Sequence, residues 1–575
     1  MNISGTEKRI SFIHLWAILI ALLFFLLSGS GFAQETDQDK ALGLLGKHIF
    51  FDKHLSSSGQ MGCVSCHEPT AGGTGPDPVI NATQVAMDNA DGEPSLVGRR
   101  KPQTNTYASF NLPFALCNIG GAGPEQYCGG NFWDGRALGR PLVSDNPDFP
   151  TLPFSAPHID TEVFYNVDPV REDSFRKFIS PISDQALNPM PNPNEQNMSR
   201  EDVCETVAAS PYAWLYELAW GEPLNCSPGV AVYGESYFDI SFKRLMMSAG
   251  AYQSMKDINS FSSKRDIAIR TELACIDSDF SEYRNSIVCS QVRQMQYKNP
   301  DKEYGKFPLV MFTDEENLGH DLFYNIELPA PPFFTRKFPN LPATQCAFCH
   351  SDHPETDDGS ELLQIYSDQA YHNIGTPGNP LIPKLTGIDT GLNLHTGIAN
   401  DADGFIRTQT LRNVAKKPNG DFVKAFMHNG FFKSLWSVVH FYNTRDALPR
   451  CETIVPFGTI ITEAVALANN CWPEPEFPAT ASPSVGFPLV GRLGLSLEQE
   501  KAVAAYIETL SDSHSAEVPL LLDEGTSQYH PVVRMLMQGQ LYGQICGMPG
   551  ASQFGCLSID EVADMLEEGD WLTDN

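Results

Sequence analysis

Two short motifs in this sequence carry cysteine and histidine at a spacing that suits covalent haem attachment. In the first motif, Cys63 and Cys66 are two residues apart and His67 follows directly. The second motif repeats this pattern with Cys346, Cys349 and His350. In a c-type haem, the two thiols bond to the haem vinyl groups and the adjacent histidine becomes an axial ligand of the iron. A zinc knuckle or a redox-active cysteine pair could explain one copy, but two copies favour a protein with two covalently bound haem c groups.

The first 33 residues have the features of a secretory signal peptide. Lys8 and Arg9 precede an apolar run over residues 15–27, and small residues follow at 28–33. An uncleaved membrane anchor is the alternative, but the apolar run is short for a span. We therefore expect export to the periplasm, with no membrane span after cleavage. Haem attachment of the c type, which takes place outside the cytoplasm, agrees with this expectation.

The remaining cysteines fit an oxidising compartment. Four of the 14 cysteines belong to the two motifs, and the other ten are an even number that falls as sequence neighbours. Short loops closed in this way are typical of disulfides in exported proteins. Buried free thiols are the alternative. The five predicted pairs are Cys117 with Cys128, Cys204 with Cys226, Cys275 with Cys289, Cys451 with Cys471, and Cys546 with Cys556.

The chain is strongly acidic, with a formal net charge of −31 at pH 7. This charge argues against nucleic acid as a partner, because the phosphates would repel the protein. It would steer a positively charged partner such as a basic cytochrome towards the surface. Solubility in a salty exterior explains the charge equally well.

Three helices are predicted from the periodicity of apolar residues. The first covers residues 38–52 and leads into the first haem motif. A second starts at the acidic run 314–316, ahead of the second motif. The last covers residues 497–510, where Ser496 and Gln499 match a capping box. Segments rich in Pro, Gly, Asn and Asp, at residues 76–91, 141–157 and 189–194, are predicted to be ordered loops around the haems.

Several further segments resemble the dihaem cytochrome c peroxidase family and, within it, the MauG-like branch. These segments are residues 45–52, 132–137, 410–415 and 427–430, in the same order as the haem motifs. The resemblance implies a mainly α fold of two c-type cytochrome domains with long loops and insertions. We expect an N-terminal peroxidatic haem domain at 34–310, a C-terminal electron-transfer haem domain at 311–515, and an extension at 516–575.

The resemblance also assigns roles around the first haem. Trp133 matches the tryptophan that relays electrons between the two haems, although a plain core tryptophan is the alternative. Gln185, Pro189 and Glu195 match the spacing of the family's distal pocket. Cleavage of peroxide needs a group that takes a proton from one oxygen and gives it to the other, and one carboxyl group can do both. On composition alone, Glu195 would be an ordinary loop glutamate.

Two departures from the family pattern affect the expected chemistry. Many bacterial members carry a histidine that caps the first haem iron at rest, whereas no histidine occurs here between His67 and His158. The first haem is therefore expected to be open to peroxide.

The second departure concerns the iron of the second haem. In the family, its second protein ligand lies fourteen residues after the histidine that matches His428, which gives Tyr442 here, as in MauG-like proteins. A phenolate ligand favours the higher oxidation states of iron. Met427 is the rival ligand.

A third departure concerns calcium. The family binds a calcium ion between its domains through an asparagine that aligns here with Lys101, so a calcium site of the usual kind is doubtful. The long insertions at 111–132 and 137–185 have no counterpart in the resemblance.

The sequence thus predicts a haem peroxidase that uses hydrogen peroxide and takes electrons from a donor protein (a cytochrome or cupredoxin) or from a protein substrate. The predicted metal ligands are His67, His350 and Tyr442. A peroxidase fed by a cytochrome, an electron carrier without enzymatic activity, and a dihaem oxygenase are the alternatives.

Overall fold

The computed structural model describes residues 37–93, 98–117, 126–139, 158–276, 285–330, 333–351, 353–354, 356–382, 389–396, 403–478, 490–519 and 522. The predicted signal peptide, the predicted loop at 141–157 and nearly all of the C-terminal extension lie outside these residues. Among the helices that the structure describes, none is both long and apolar enough to cross a bilayer.

The described chain is mainly helical, as predicted. Its strands form four antiparallel two-stranded ribbons: β1 Ala115–Cys117 with β2 Gln126–Cys128, β3 Val230–Val232 with β4 Glu235–Ser236, β5 Glu327–Ala330 with β6 Phe333–Arg336, and β7 Tyr371–His372 with β8 Ile406–Arg407. The helices are α1 Asp37–Phe51, α2 Pro78–Ala82, α3 Pro169–Phe175, α4 Pro181–Ala186, α5 Arg200–Ala208, α6 Trp214–Trp220, α7 Tyr237–Tyr252, α8 Lys264–Leu273, α9 Ile287–Lys298, α10 Asp314–Phe323, α11 Cys346–Cys349, α12 Asn393–Thr396, α13 Leu435–Thr444, α14 Glu463–Ala468 and α15 Leu497–Glu508.

The three helices predicted from the sequence are α1, α10 and α15. The capping box expected at Ser496 and Gln499 is formed at the start of α15. Helix α10 starts with the same arrangement between Thr313 and Glu316. The short helix α2 lies inside a segment predicted to be a loop. It forms because the Asp77 carboxylate accepts hydrogen bonds from the first free backbone N–H groups of the turn.

Two helix pairs make the same contact, and the first helix of each pair precedes a haem motif in the chain. In the pair α1–α7, Gly46 lies so close to α7 that a Cβ atom there would be 1.9 Å from the Ser248 carbonyl oxygen. In the pair α10–α15, Gly319 is in the same position, 1.9 Å from the Ala502 carbonyl oxygen. Glycine is needed at both crossings, because any side chain would separate the helix backbones.

Each helix pair lies in its own hydrophobic core. The first core joins α1, α5, α6 and α7, and includes Leu45 and Met246. The second joins α8, α10, α13 and α15, and includes Leu322 and Val503. Helix α8 packs in the second core through Ile269, although it precedes α10 by some forty residues of chain. Two cores, each beside one haem motif, are the framework for the candidate sites.

Four of the five predicted disulfides are formed. They join Cys117 to Cys128, Cys204 to Cys226, Cys275 to Cys289, and Cys451 to Cys471. The fifth predicted pair, Cys546 with Cys556, lies outside the described residues.

We expect Gly46→Ala and Gly319→Ala each to destabilise the protein. The added methyl group must push two helix backbones apart, and overpacking of this kind costs about 1–3 kcal/mol. Thermal and denaturant unfolding of the purified protein would measure the change. Gly420→Ala is the control, since a Cβ atom at Gly420 meets no atom within 4 Å. Equal stability of all three variants would show that the helix crossings tolerate a side chain.

Candidate haem-binding sites

The first motif presents a histidine that is oriented to bind a metal. Cys63–Ser65 form a single 3-10 turn, and Nδ1 of His67 lies 3.1 Å from the Gly73 carbonyl oxygen. A carbonyl oxygen only accepts, so Nδ1 carries the proton and Nε2 keeps its lone pair. Burial lowers the pKa of His67, which keeps the imidazole neutral. A neutral, oriented imidazole is what an axial haem ligand requires.

The second motif repeats this arrangement. Its two cysteines lie at the ends of the single turn α11. Nδ1 of His350 donates to the Tyr366 carbonyl oxygen at 3.0 Å, and burial lowers the pKa of His350 as well. Both motifs therefore leave Nε2 of the histidine available.

Three of the four motif thiols are unlike those of a redox-active pair. Burial raises the pKa of Cys63 and Cys66 to about 12 and that of Cys346 to about 11. A redox-active cysteine needs the opposite, a lowered pKa that yields thiolate. None of the four motif cysteines is in a disulfide. Unpaired cysteines next to a neutral histidine fit the donor set of a c-type haem.

The zinc alternative also lacks a ligand set in the described part of the chain. The one group of three or more metal-binding side chains found there consists of Cys349, Asp368 and His372. It takes a single cysteine from the second motif and no residue from the first. A zinc knuckle would need both cysteines of a motif in the same cluster.

The loop that carries Glu195 is hydrogen-bonded to the turn that precedes the first motif. The Gln196 side-chain amide donates to the Leu55 carbonyl at 2.9 Å, and the Gln196 carbonyl accepts from the Ser57 backbone at 2.9 Å. The negative charge of Glu195 adds to the effect of burial on the pKa of both Cys63 and Cys66. The structure thus brings Glu195 close to the first pair of thiols.

The environment of Glu195 favours its protonated form. Burial raises the pKa of this carboxyl group, while the positive charge of Arg136 and a 3.0 Å hydrogen bond from the Asn192 side chain act in the opposite direction. A carboxyl group whose pKa is shifted towards neutral pH is suited to proton transfer. Arg136, whose guanidinium lies 3.6 Å from the Phe132 ring centroid, tunes that shift.

Gln185 is buried near the end of α4. This short helix is fixed by Asp184, whose carboxylate accepts from the backbone N–H of Gly139 and of Ile159, each at 2.8 Å. The chain then runs through the turn at 189–198 to Glu195, held by the hydrogen bond from the Met198 backbone to the Met190 carbonyl at 2.7 Å. Gln185 and Glu195 are thus carried by one continuous segment.

A cavity of about 220 Å³ lies beside the second motif. Its wall includes Cys346, Cys349 and His350, together with both rival ligands, Tyr442 and Met427. The structure therefore brings both candidates to the same cavity and does not choose between them. Tyr442 projects from α13, and burial together with the sulfur atoms of Cys349 and Cys346 raises the pKa of its phenol.

Trp133 also lines this cavity. Its indole Nε1 donates to the Lys101 carbonyl at 3.0 Å, and the Lys101 backbone N–H donates to the His428 carbonyl at 2.9 Å. A few residues further on, the Thr104 hydroxyl donates to the Gly72 carbonyl in the first haem loop at 2.9 Å. The segment that holds Trp133 thus bridges the first haem loop and the segment 427–430 beside the second cavity.

Lys101, which aligns with the family's calcium ligand, brings a positive charge to this bridge. Its ammonium lies 5.7 Å from the Trp133 ring centroid and lines the cavity. Burial lowers the pKa of Lys101 to about 8. A cationic side chain in this position is unfavourable for a calcium ion because of charge repulsion, so calcium remains doubtful.

Lys424 was not identified from the sequence. It is buried between the first haem loop and the segment 413–416. Its Nζ donates to the carbonyls of Ala71, Asn413 and Lys416 at 2.7, 3.1 and 2.8 Å. Three carbonyl acceptors match the three N–H donors of an ammonium group. Ala71 is in the first haem loop, so this lysine joins that loop to the C-terminal half. Nothing in the local sequence distinguishes Lys424 from a surface lysine.

Glu476 was also missed. Its carboxylate accepts from His428 Nε2 at 2.8 Å and from the Asn429 side chain at 2.9 Å. It therefore orients the segment 427–430 that carries the rival ligand Met427. Its sequence neighbourhood, between prolines, gives no sign of this role.

Comparison with known proteins agrees with the two-haem interpretation. Residues 40–273 match the family model of the di-haem cytochrome c peroxidases. The methylamine utilization protein MauG of Paracoccus denitrificans is 25% identical over 518 residues, which is 88% of this chain and 98% of that protein. The resemblance seen in the sequence is thereby confirmed, and it supports a di-haem peroxidase type of function.

A solved structure of a diheme peroxidase shares the fold. A variant of the diheme peroxidase BthA from Burkholderia thailandensis aligns with a TM-score of 0.52 at 19% identity, covering 82% of this chain and 86% of that chain. The unaltered BthA structure aligns with a TM-score of 0.48 at the same identity, covering 83% of this chain and 87% of that chain.

We expect Lys424→Met to lower the free energy of unfolding by about 2–4 kcal/mol, because three buried carbonyl groups lose their donor and each unsatisfied group costs about 1–3 kcal/mol. Denaturant unfolding of the haem-loaded protein would measure the loss. Lys417→Met, at an exposed neighbouring position, is the control and should change stability by less than about 0.5 kcal/mol. Equal effects of the two substitutions would contradict the bridging role of Lys424.

Proposed function

Since this chain is a relative of the di-haem cytochrome c peroxidases and of MauG, we propose that it is an exported enzyme with two covalently bound haems that reduces hydrogen peroxide. Cys63 and Cys66 would hold the first haem, and His67 would ligate its iron. Cys346 and Cys349 would hold the second haem, and His350 and Tyr442 would ligate its iron. Two c-type cytochrome domains, at 34–310 and 311–515, hold one haem each.

The observation that best supports this proposal is the half-buried carboxyl group of Glu195 near the first pair of thiols, with its raised pKa. When bound, the haem iron supplies the electrons that cleave the O–O bond of peroxide. Glu195 accepts the proton from the oxygen nearest the iron and returns it to the departing oxygen, which leaves as water. Gln185, on the same segment, positions the peroxide. Arg136 keeps the pKa of Glu195 from rising too far for the first of these proton transfers.

Trp133 and Tyr442 determine where the oxidising equivalents go. Trp133 lies on the bridge between the two motifs and lines the second cavity, so it connects the two redox centres. An anionic phenolate from Tyr442 lowers the potential of the second iron, whereas a methionine ligand would raise it. The oxidised state is thereby held until an electron-donor protein, or a protein substrate, supplies electrons.

Glu195→Gln should leave both haems attached and slow the reaction with peroxide. The amide cannot accept the peroxide proton, and loss of one acid–base group costs about 10²–10⁴ in rate. Stopped-flow spectra of the diferric protein after one equivalent of peroxide would measure the rate constant, and the protein mass would confirm two haems. Glu201→Gln, on the exposed face of α5, is the matched control. A normal rate in Glu195→Gln would exclude this carboxyl group as the proton carrier.

Tyr442→Phe should convert the second haem from low-spin to high-spin and abolish the long-lived state formed with peroxide. The haem itself should remain, because the thioether bonds do not depend on the axial ligand. Electron paramagnetic resonance (EPR) and absorption spectra of the ferric protein would detect the change. Met427→Leu, in the wall of the same cavity, is the comparison. If Met427→Leu changes the spin state and Tyr442→Phe does not, methionine is the ligand and a cytochrome-fed peroxidase is the better description.

A further inference from the structure

A chain of aromatic rings leads from the second cavity to the protein surface. It starts at Tyr442 and ends at the half-buried Trp436. The centroids of successive rings are 6.1 Å apart for Tyr442 and Phe441, 5.3 Å for Phe441 and Trp472, 5.7 Å for Trp472 and His440, and 5.1 Å for His440 and Trp436. The last two rings are stacked, with 16° between their planes. Aromatic side chains in van der Waals contact thus connect the cavity to the exterior.

Helix α13 separates the two ends of this chain. Leu435, Val439 and Tyr442 line the cavity, while Trp436 and His440 extend from another face of the same helix towards α15. A helix with its side chains is about 10–12 Å across. Trp436 is therefore about one helix width from the cavity and is still accessible to solvent.

The indole of Trp436 has a buried carboxylate as its hydrogen-bond partner. Its Nε1 donates to the Glu500 carboxylate at 3.1 Å. The other carboxylate oxygen accepts from His440 Nδ1 at 2.9 Å and from the Asn443 side chain at 2.6 Å. Glu500 is only 3% exposed. An indole that loses an electron becomes a strong acid, and this carboxylate is placed to receive its proton.

We propose that Trp436 is the redox site at which a one-electron donor protein delivers electrons to this enzyme, with Glu500 as its proton acceptor. The inference rests on the proposed peroxide chemistry and adds the place where reducing equivalents enter. The partner is identified by its chemistry, as a reduced protein that gives up one electron at a time.

Electrons and protons balance in this scheme. Reduction of one hydrogen peroxide to two waters consumes two electrons and two solvent protons, and the electrons pass through Trp436 singly. In each passage the Trp436 indole gives one electron to the oxidised second haem, its N–H bond breaks, and an O–H bond forms on Glu500. The donor protein then returns one electron to Trp436 and the proton moves back, so both side chains end unchanged.

A second buried carboxylate that is hydrogen-bonded to α13, Glu463 at the start of α14, provides a matched control. Glu463 is 8% exposed and accepts hydrogen bonds from the Lys433 backbone and the Ser437 hydroxyl. Like Glu500, it fixes α13 to the rest of the protein, but none of these partners is a redox-active ring. Glu500→Gln and Glu463→Gln should therefore have comparable structural effects, and only the first should affect electron entry.

The test uses the dihaem protein with deuterium-labelled tryptophan rings. After one equivalent of peroxide without donor, EPR should show a tryptophan radical in wild type that is absent from Trp436→Phe. With excess peroxide, peptide mass spectrometry should find oxygen added at Trp436.

Trp436→Phe should leave the peroxide-induced change of the haem spectrum intact. It should slow re-reduction of the oxidised protein by a reduced basic cytochrome c about tenfold or more, which corresponds to about 1.4 kcal/mol in activation free energy. Glu500→Gln should also diminish the radical signal, whereas Glu463→Gln should retain it.

The outcomes separate this inference from the function on which it rests. If peroxide leaves the wild-type haem spectrum unchanged, both the proposed function and the inference about Trp436 are wrong. If the spectrum changes but the radical and the added oxygen are found away from Trp436, or re-reduction of Trp436→Phe is as fast as in wild type, the peroxide chemistry stands and Trp436 is not the entry site. If Glu463→Gln has the same effect as Glu500→Gln, the effect comes from displacement of α13 and the redox role is refuted.

Discussion

The close contact of two helix backbones at Gly46 and again at Gly319 is the constraint on which the rest of the structure depends. Because no side chain separates the helices there, each pair packs at the shortest distance that backbone atoms allow. A rigid pair of this kind gives the loop after its first helix a fixed starting point. Both haem motifs follow the first helix of such a pair, and in both the histidine is oriented by a backbone carbonyl. Two thioether bonds on a mobile loop could not fix the imidazole in this way.

Between the two rigid pairs, several of the contacts end on backbone carbonyl groups. The bridge through Lys101 and Trp133 consists of hydrogen bonds to carbonyl groups, and Lys424 adds three more. Carbonyl groups impose little demand on side-chain identity, so long insertions and loops can vary around them. The charged side chains in the wall of the second cavity are of both signs: Asp389 and Glu476 lie there together with Arg407, Lys101 and Lys424. Burial lowers the pKa of both lysines.

Much of the local chemistry could be predicted from the sequence, because it depends on residues close together along the chain. The haem motifs, the capping box at Ser496 and four disulfides all belong to this class. The partners of these elements could not be predicted in the same way. Helix α7 has no sequence feature that pairs it with Gly46, and Lys424 meets Ala71 across more than 350 residues of chain. The roles of Glu195 and Tyr442 stay predictions, since the structure shows where these side chains lie and not what they do.

Helix α13 shows how one element can serve two redox requirements at once. An iron ligand must be buried, because an exposed phenolate would be solvated and would compete poorly for the metal. An electron-entry residue must instead be reachable by a partner. Tyr442 and Trp436 are six residues apart. At 3.6 residues per turn, their side chains leave the helix about 120° apart around its axis. The helix thereby directs one ring into the cavity and the other towards solvent, and the rings of Trp472 and His440 connect them along its flank. The helical period therefore places Tyr442 in the cavity wall and Trp436 on another face of α13, with both rings half-buried.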